Sequence, residues 1–231
     1  MDRYHNHFPD SNIILCGIIN WEIHNNLCKS YFESNTKFFS SNNVYEESLG
    51  VIERNRSWIL RFIYNLNEKF KNQTSINFRR DLEEFKDDFV SKICLQDPDN
   101  CDKAYDVLTS FINDCNYPLI RIIRDSSFYK DFKIKVENSF KDVHKRLQKI
   151  YDTVLNLPTC PIDLESILAD KYDILIRDVH RRDCLNLLDA HYISGRHIRD
   201  DMAFVTMDGD LFRVKTQINS VLPRIYVFKP F

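Results

Sequence analysis

Two aspartates, Asp208 and Asp210, stand where the apolar run "AFVTM" gives way to a glycine in "DMAFVTMDGDLF". Carboxylates recur at comparable places along the chain. Asp10 directly follows the first predicted strand, Glu47 lies in the first turn of the helix after the second, and Asp183 opens the segment "DCLNLLDA". Brought to one place, these side chains would repel one another, and some would take up protons unless a cation joined them. Hard oxygen ligands suit Mg²⁺ or Mn²⁺, which usually keep several waters and accept phosphate oxygens. An acidic pocket of that kind is suited to cutting phosphodiesters, because the ion activates water and offsets charge on the attacked phosphate.

Each acid also has a plainer role open to it. Asp10 before Ser11 and Asn12 can cap a helix, and Glu46 suits the positive end of a helix dipole as well as Glu47 does. Asp189 shares a helix with Asp183, and Asp210 stands beside Asp208, so the residues alone leave both choices open. Around Asp183 the sequence gathers His180, Arg181, Arg182, Arg196, His197 and Arg199. These could hold substrate phosphates or form a solvated charged face. His5 and His7 make an HxH pair without a third ligand at convincing spacing.

The elements that would position these groups alternate at both ends of the chain. A strand is expected through Arg3–Phe8, then a loop at "PDSN" and a helix from Ile13 to about Phe32, with Ser11 or Asn12 as its cap. "TKFFSS" reads as a second strand, and "NNVYEESLGVIER" as the start of a helix capped by Asn42 or Asn43. After residue 159, "KYDILIRD" fits a strand or a helical turn and "RRDCLNLLDAHYI" a helix. "AFVTM" fits a buried strand, "DLFRVKTQI" a helix and "RIYVF" a final strand. Such alternation predicts an α/β fold with a central parallel sheet, and ligands in such sheets bind beyond the carboxyl ends of the strands.

Between these ends the pattern is helical throughout. Ile59, Phe62, Ile63, Leu66 and Phe70 follow helical spacing, as do Leu82, Phe85, Phe89 and Ile93, and later Phe132, Val136, Phe140, Val143 and Leu147. Turns are expected at "QDPDN" (96–100) and "NYP" (116–118), with an exit at "NLPTCP" (156–161). The expected organisation is therefore a discontinuous domain of residues 1–55 and 160–231, interrupted by a helical insertion at 56–159. Dimerisation, binding of a regulatory protein, or shaping of substrate access are the roles such an insertion could serve.

Composition narrows the class. With 43% hydrophobic and 29% charged residues the chain suits a folded, soluble protein, and a net charge of −2 excludes nucleic-acid binding driven by bulk positive charge. No apolar run is long enough to cross a bilayer, and a cytoplasmic location is expected. The seven cysteines contain no CxxC pair, which favours reduced thiols, with Cys16, Cys94 and Cys184 as small apolar fillers.

Four segments taken in order, "DSN" (10–12), "VYEESL" (44–49), "DCLNLLDA" (183–190) and "FVTMDGD" (204–210), resemble the signatures of PIN-domain nucleases. The resemblance covers the two ends of the chain and not its middle. It implies a three-layer α/β/α PIN-like fold with a large helical insertion. It also implies a metal-dependent ribonuclease in which Asp10, Glu47, Asp183 and Asp208 hold Mg²⁺ or Mn²⁺ and water attacks an RNA phosphodiester. By the same resemblance Ser11, Asn12 and Thr206 are supporting polar residues; from the residues themselves, Asp210 would line the site beside Asp208, and Arg181, Arg182 and Arg196 of the basic cluster would contact substrate phosphates. The alternatives are a PIN-like RNA-binding or protein-assembly module without catalysis, and a nuclease acting on DNA.

Overall fold

The computed structural model describes residues 4–19, 25–34, 36–70 and 78–230. Five short strands, β1 (Asn6–Pro9), β2 (Lys37–Phe39), β3 (Leu155–Asn156), β4 (Met202–Val205) and β5 (Ile225–Phe228), form one sheet in the order β3-β2-β1-β4-β5. Every pairing is parallel, with Phe8 opposite Phe204 and Pro9 opposite Val205. All residues of β1 and β4 are buried, as expected of parallel strands covered on both faces.

The polar residues of β1 are accommodated one by one. Asn6 Nδ2 donates to Asp200 Oδ2 at 3.2 Å, and the ring nitrogens of His7 are hydrogen-bonded to the Tyr31 hydroxyl and the Tyr4 carbonyl. His7 is thus a core residue stacked on Tyr31, whereas His5 is exposed, so the HxH pair does not act as a unit. Pro9, which has no N–H for a ladder, occupies the last position of β1, and the next N–H, that of Asp10, donates to the Val205 carbonyl at 2.8 Å.

Two compact units are present, one of residues 1–49 and 145–231 and the other of residues 50–144. The sequence had suggested limits of 56 and 159. The first unit holds the whole sheet together with α1 (Ser11–Ile18), α2 (Asn25–Phe32), α7 (Leu164–Ile167), α8 (Ala169–Leu175), α9 (Arg181–Ile193), α10 (Gly209–Arg213) and α11 (Lys215–Val221).

Several expectations are corrected here. The helix expected over Ile13–Phe32 stops at Ile18, because Ile19 is extended and the Asn25 side chain donates to the carbonyls of Cys16 and Ile19. Residues 20–24 lie outside the described residues. The cap of α1 is Asp10 rather than Ser11 or Asn12. Of the two readings open for "KYDILIRD" the helical one holds, since it falls largely in α8, whereas "DLFRVKTQI" divides into α10 and α11 at Val214, which leaves helical geometry. The two-residue β3 had no signal of its own, since "VLN" continues the helical spacing before it.

The second unit takes in α3 (Asn42–Phe70) from Gly50 onward, α4 (Phe78–Gln96), α5 (Cys101–Arg124) and α6 (Ser126–Thr153) as far as His144. Its core is the apolar stripe read from sequence: Ile59, Phe62, Ile63 and Leu66 are fully buried, and Phe62 meets Phe85 and Phe89 at ring distances of 5.2 and 5.5 Å. A short 3₁₀ turn, Pro98–Asn100, joins α4 to α5 at the expected place. No turn forms at "NYP". The helix instead bends at Cys115, three residues before Pro118, and the break comes at Asp125.

Cys94 is not a filler, for it forms a disulfide with Cys101. The tight hairpin explains the pairing, because the turn returns the chain so sharply that the two Cα atoms lie 4.7 Å apart. Cys16 and Cys184 are buried and take no part in this disulfide. Among the described residues, no helix is long and apolar enough to cross a membrane.

Candidate functional site

The order β3-β2-β1-β4-β5 winds outward in one direction from β1 and in the other from β4. A crevice is therefore expected beyond the carboxyl ends of these two strands, where the winding reverses. Asp10 follows β1 at this point, and Thr206, Met207 and Asp208 follow β4. Pairing of Pro9 with Val205 puts both loops at the same height, although 196 positions separate Asp10 from Thr206.

Asp10 is 3% exposed and surrounded by donors. Its Oδ1 accepts the Ser11 N–H at 2.8 Å, and its Oδ2 accepts from Asn12 Nδ2 and Thr206 Oγ1, each at 3.0 Å. Asn12 also joins the two loops, donating to Thr206 Oγ1 at 2.9 Å and accepting the Met207 N–H at 3.3 Å. Thr206 Oγ1 in turn accepts the Asp208 N–H at 3.0 Å. Ser11, Asn12 and Thr206 thus fix the carboxylate at the sheet edge.

The other acids arrive on helices. Glu47, on α3, accepts from Asn186 Nδ2 at 2.8 Å, and the same nitrogen lies 3.4 Å from Asp10 Oδ1. Burial pushes the Asp10 carboxyl up from its ordinary value of 3.8 to about 7; the charge of Glu47 and then that of Asp183 push in the same direction, against hydrogen bonds from Ser11 and Thr206. Asp10, Glu47 and Asp183 therefore share an electrostatic neighbourhood. Near neutral pH Asp10 is poised to accept a proton or a nearby positive charge.

Glu46, next to Glu47, is exposed. Asp189 is 1% exposed and faces the start of α3, where Asn43 Nδ2 donates to it at 2.9 Å and Ser41 donates as well; burial raises its pKa. Asn43 is therefore occupied with Asp189 rather than capping α3, and Ser41 Oγ accepts the Val44 N–H at 3.5 Å. Asp208 is half-buried and caps α10, accepting the Asp210 N–H at 2.7 Å. Asp210 is exposed and pairs with Arg213 at 2.9 Å.

The basic cluster separates in space. Arg181 and Arg182 are exposed at the start of α9, near Asp183 in sequence, and Arg181 pairs with Glu165 at 3.5 Å. Arg196 lies in the wide turn Ser194–Ile198 at the far end of α9, about 20 Å along a helix of that length. His197 and Arg199 lie there too, so this half of the cluster does not flank the acids.

Neither a protein-family model, nor a curated protein, nor a solved structure matches the chain.

Sequence reasoning missed Asn186, the residue that touches both Asp10 and Glu47. A signal was present: it is a lone amide within "CLNLL", three positions after Asp183 and so on nearly the same helical face. The carboxylate oxygens fit a hard divalent ion in kind, and the raised Asp10 carboxyl would be relieved by one. Among the described residues, no group of three or more His, Cys, Asp or Glu side chains is arranged to hold a metal ion.

Proposed function

We propose that the sheet-bearing unit is a metal-dependent ribonuclease of PIN-like, three-layer α/β/α architecture. The single observation that carries this reading is Asp10, a buried carboxyl raised to about 7 by desolvation, Glu47 and Asp183 at the carboxyl edge of a parallel sheet. Such an arrangement is unfavourable for folding alone and becomes useful when positive charge is delivered to it. Strand order supports the layering, because right-handed connections that wind outward in opposite directions put helices on both faces.

Asp10, Glu47 and Asp183, with Asp208 from the loop after β4, are the residues that would hold Mg²⁺ or Mn²⁺. When bound, the ion would offset their charge and polarise the phosphodiester for attack by water. Ser11, Asn12 and Thr206 orient Asp10, and Arg181 and Arg182 supply positive charge for flanking phosphates. The choice of RNA follows the likeness of the four acidic segments to PIN-domain signatures. A non-catalytic PIN-like RNA-binding or assembly module is favoured by a different observation, the use of the Asp208 carboxylate as a helix cap.

Titration with Mn²⁺, followed by incubation with single-stranded RNA and matched DNA, separates these readings. The nuclease binds Mn²⁺ and cleaves RNA, and Asp10→Asn and Asp208→Asn lose cleavage. Binding of RNA with neither Mn²⁺ uptake nor cleavage supports the module instead. Preferential cutting of DNA reassigns the substrate.

A further inference from the structure

Two side-chain contacts, one helical turn apart, join α9 to α3 beside the acids. Asn186 Nδ2 donates to Glu47 Oε2 at 2.8 Å, and Asp189 Oδ2 accepts from Asn43 Nδ2 at 2.9 Å. Numbering rises from Asn186 to Asp189 as it falls from Glu47 to Asn43, so the contacts form two rungs of an antiparallel helix pair. Spacings of three and four residues keep each pair of side chains on one helical face. Asn186 and Asp189 are each 1% exposed, which leaves little room for water to substitute for either partner.

We propose, resting on the acidic-site reading above, that Asn186 is the positioning residue that holds Glu47 beside Asp10, with Asp189 and Asn43 fixing the register of α3 against α9. An amide suits the place because it carries two N–H donors and no charge. A carboxylate at position 186 would add to the repulsion, and an ammonium would neutralise the acids and compete with an incoming cation. Asn186 is buried, makes its shorter contact, 2.8 Å, to Glu47, and acts through Glu47. Asp189 accordingly belongs to the scaffold, because its hydrogen bonds are directed to the start of α3.

The test uses the full chain and Mn²⁺ alone, read from the electron paramagnetic resonance of the free ion. Asn186→Leu, close to asparagine in size, should weaken Mn²⁺ binding about tenfold or more, as loss of a residue that orients a ligand typically does. Glu47→Gln should weaken it as well, and the double variant should bind no more weakly than Glu47→Gln, since Asn186 acts through Glu47. Independent, multiplying losses in the double variant overturn the proposal. A second measurement needs neither metal nor an altered residue 186. The side-chain amide protons of Asn186 should exchange slowly in the metal-free protein and faster in Glu47→Ala; equal rates in the two proteins also overturn it. A wild-type chain that takes up no Mn²⁺ refutes the metal reading, while the exchange rates still decide the role of Asn186.

Discussion

Replacing Asp10 with asparagine should remove a pH dependence of stability whose size follows from the site. The folded carboxyl titrates near 7 against an ordinary value of 3.8, a difference of about three pH units. At about 1.4 kcal/mol per unit this is about 4 kcal/mol. The sign follows from proton counting. Between these two values the folded chain holds a proton on Asp10 that the unfolded chain has released, so stability falls as pH rises from about 4 to about 7 and then levels. Other carboxylates titrate in the same range, and the difference between wild type and Asp10→Asn isolates this one. Urea unfolding at intervals from pH 4 to 8, with a chelator present, should show the variant gaining about 4 kcal/mol relative to wild type across the range. Lost hydrogen bonds from Asn12 or Thr206 would offset the curve by a nearly constant 1–3 kcal/mol without changing its slope, on the order of one unmade buried bond. A difference that stays flat from pH 4 to 8 would refute the reasoning, because Asp10 would then be neither desolvated nor crowded by Glu47 and Asp183.

The helical unit allows three further tests by denaturant unfolding. Phe62→Ala, at a fully buried ring between Phe85 and Phe89, should cost about 3–5 kcal/mol. Reduction of Cys94–Cys101, or Cys101→Ser, should cost about 2 kcal/mol, the loop-closure entropy for so short a separation; no change on reduction would mean that the thiols are unpaired in solution. Glu83→Ala removes the 2.6 Å partner of the buried Lys86 ammonium and leaves it Tyr105 and a longer contact to Asp87. It should cost about 2 kcal/mol, and Lys86→Met in that background should recover most of the loss by removing the charge while keeping the volume.

The parts of the fold legible in sequence were those with a long or sharply bounded pattern. β4 and β5 are apolar runs bounded by charge, α9 matches the expected segment, and the helical stripe from Ile59 to Phe140 repeats often enough to outweigh local exceptions. β3 escaped because two residues cannot display alternation, and it is defined only by pairing with β2. Capping exposed a different limit. Asn42 and Asn43 both have the right chemistry, but a buried carboxylate 146 positions away takes Asn43, leaving the role to Ser41. The same holds for the acids, since sequence could place them at strand ends and helix starts. Only coordinates could direct Glu47 inward, Glu46 outward and Asp189 to the scaffold. The arginines show the converse, because nearness along the chain persuaded where a straight helix carries Arg196 away.

Because β1 lies between β2 and β4, its second neighbour is synthesised long after its first. At about 5–20 residues per second, a ribosome needs roughly 10–40 s to pass from Asp10 to its hydrogen-bond partner Thr206, 196 positions later. Until then Asp10 lacks the Thr206 hydroxyl, one of the two donors to its Oδ2. The contacts that join the β1 loop to the β4 loop can therefore form only after the whole helical unit, residues 50–144, has been made.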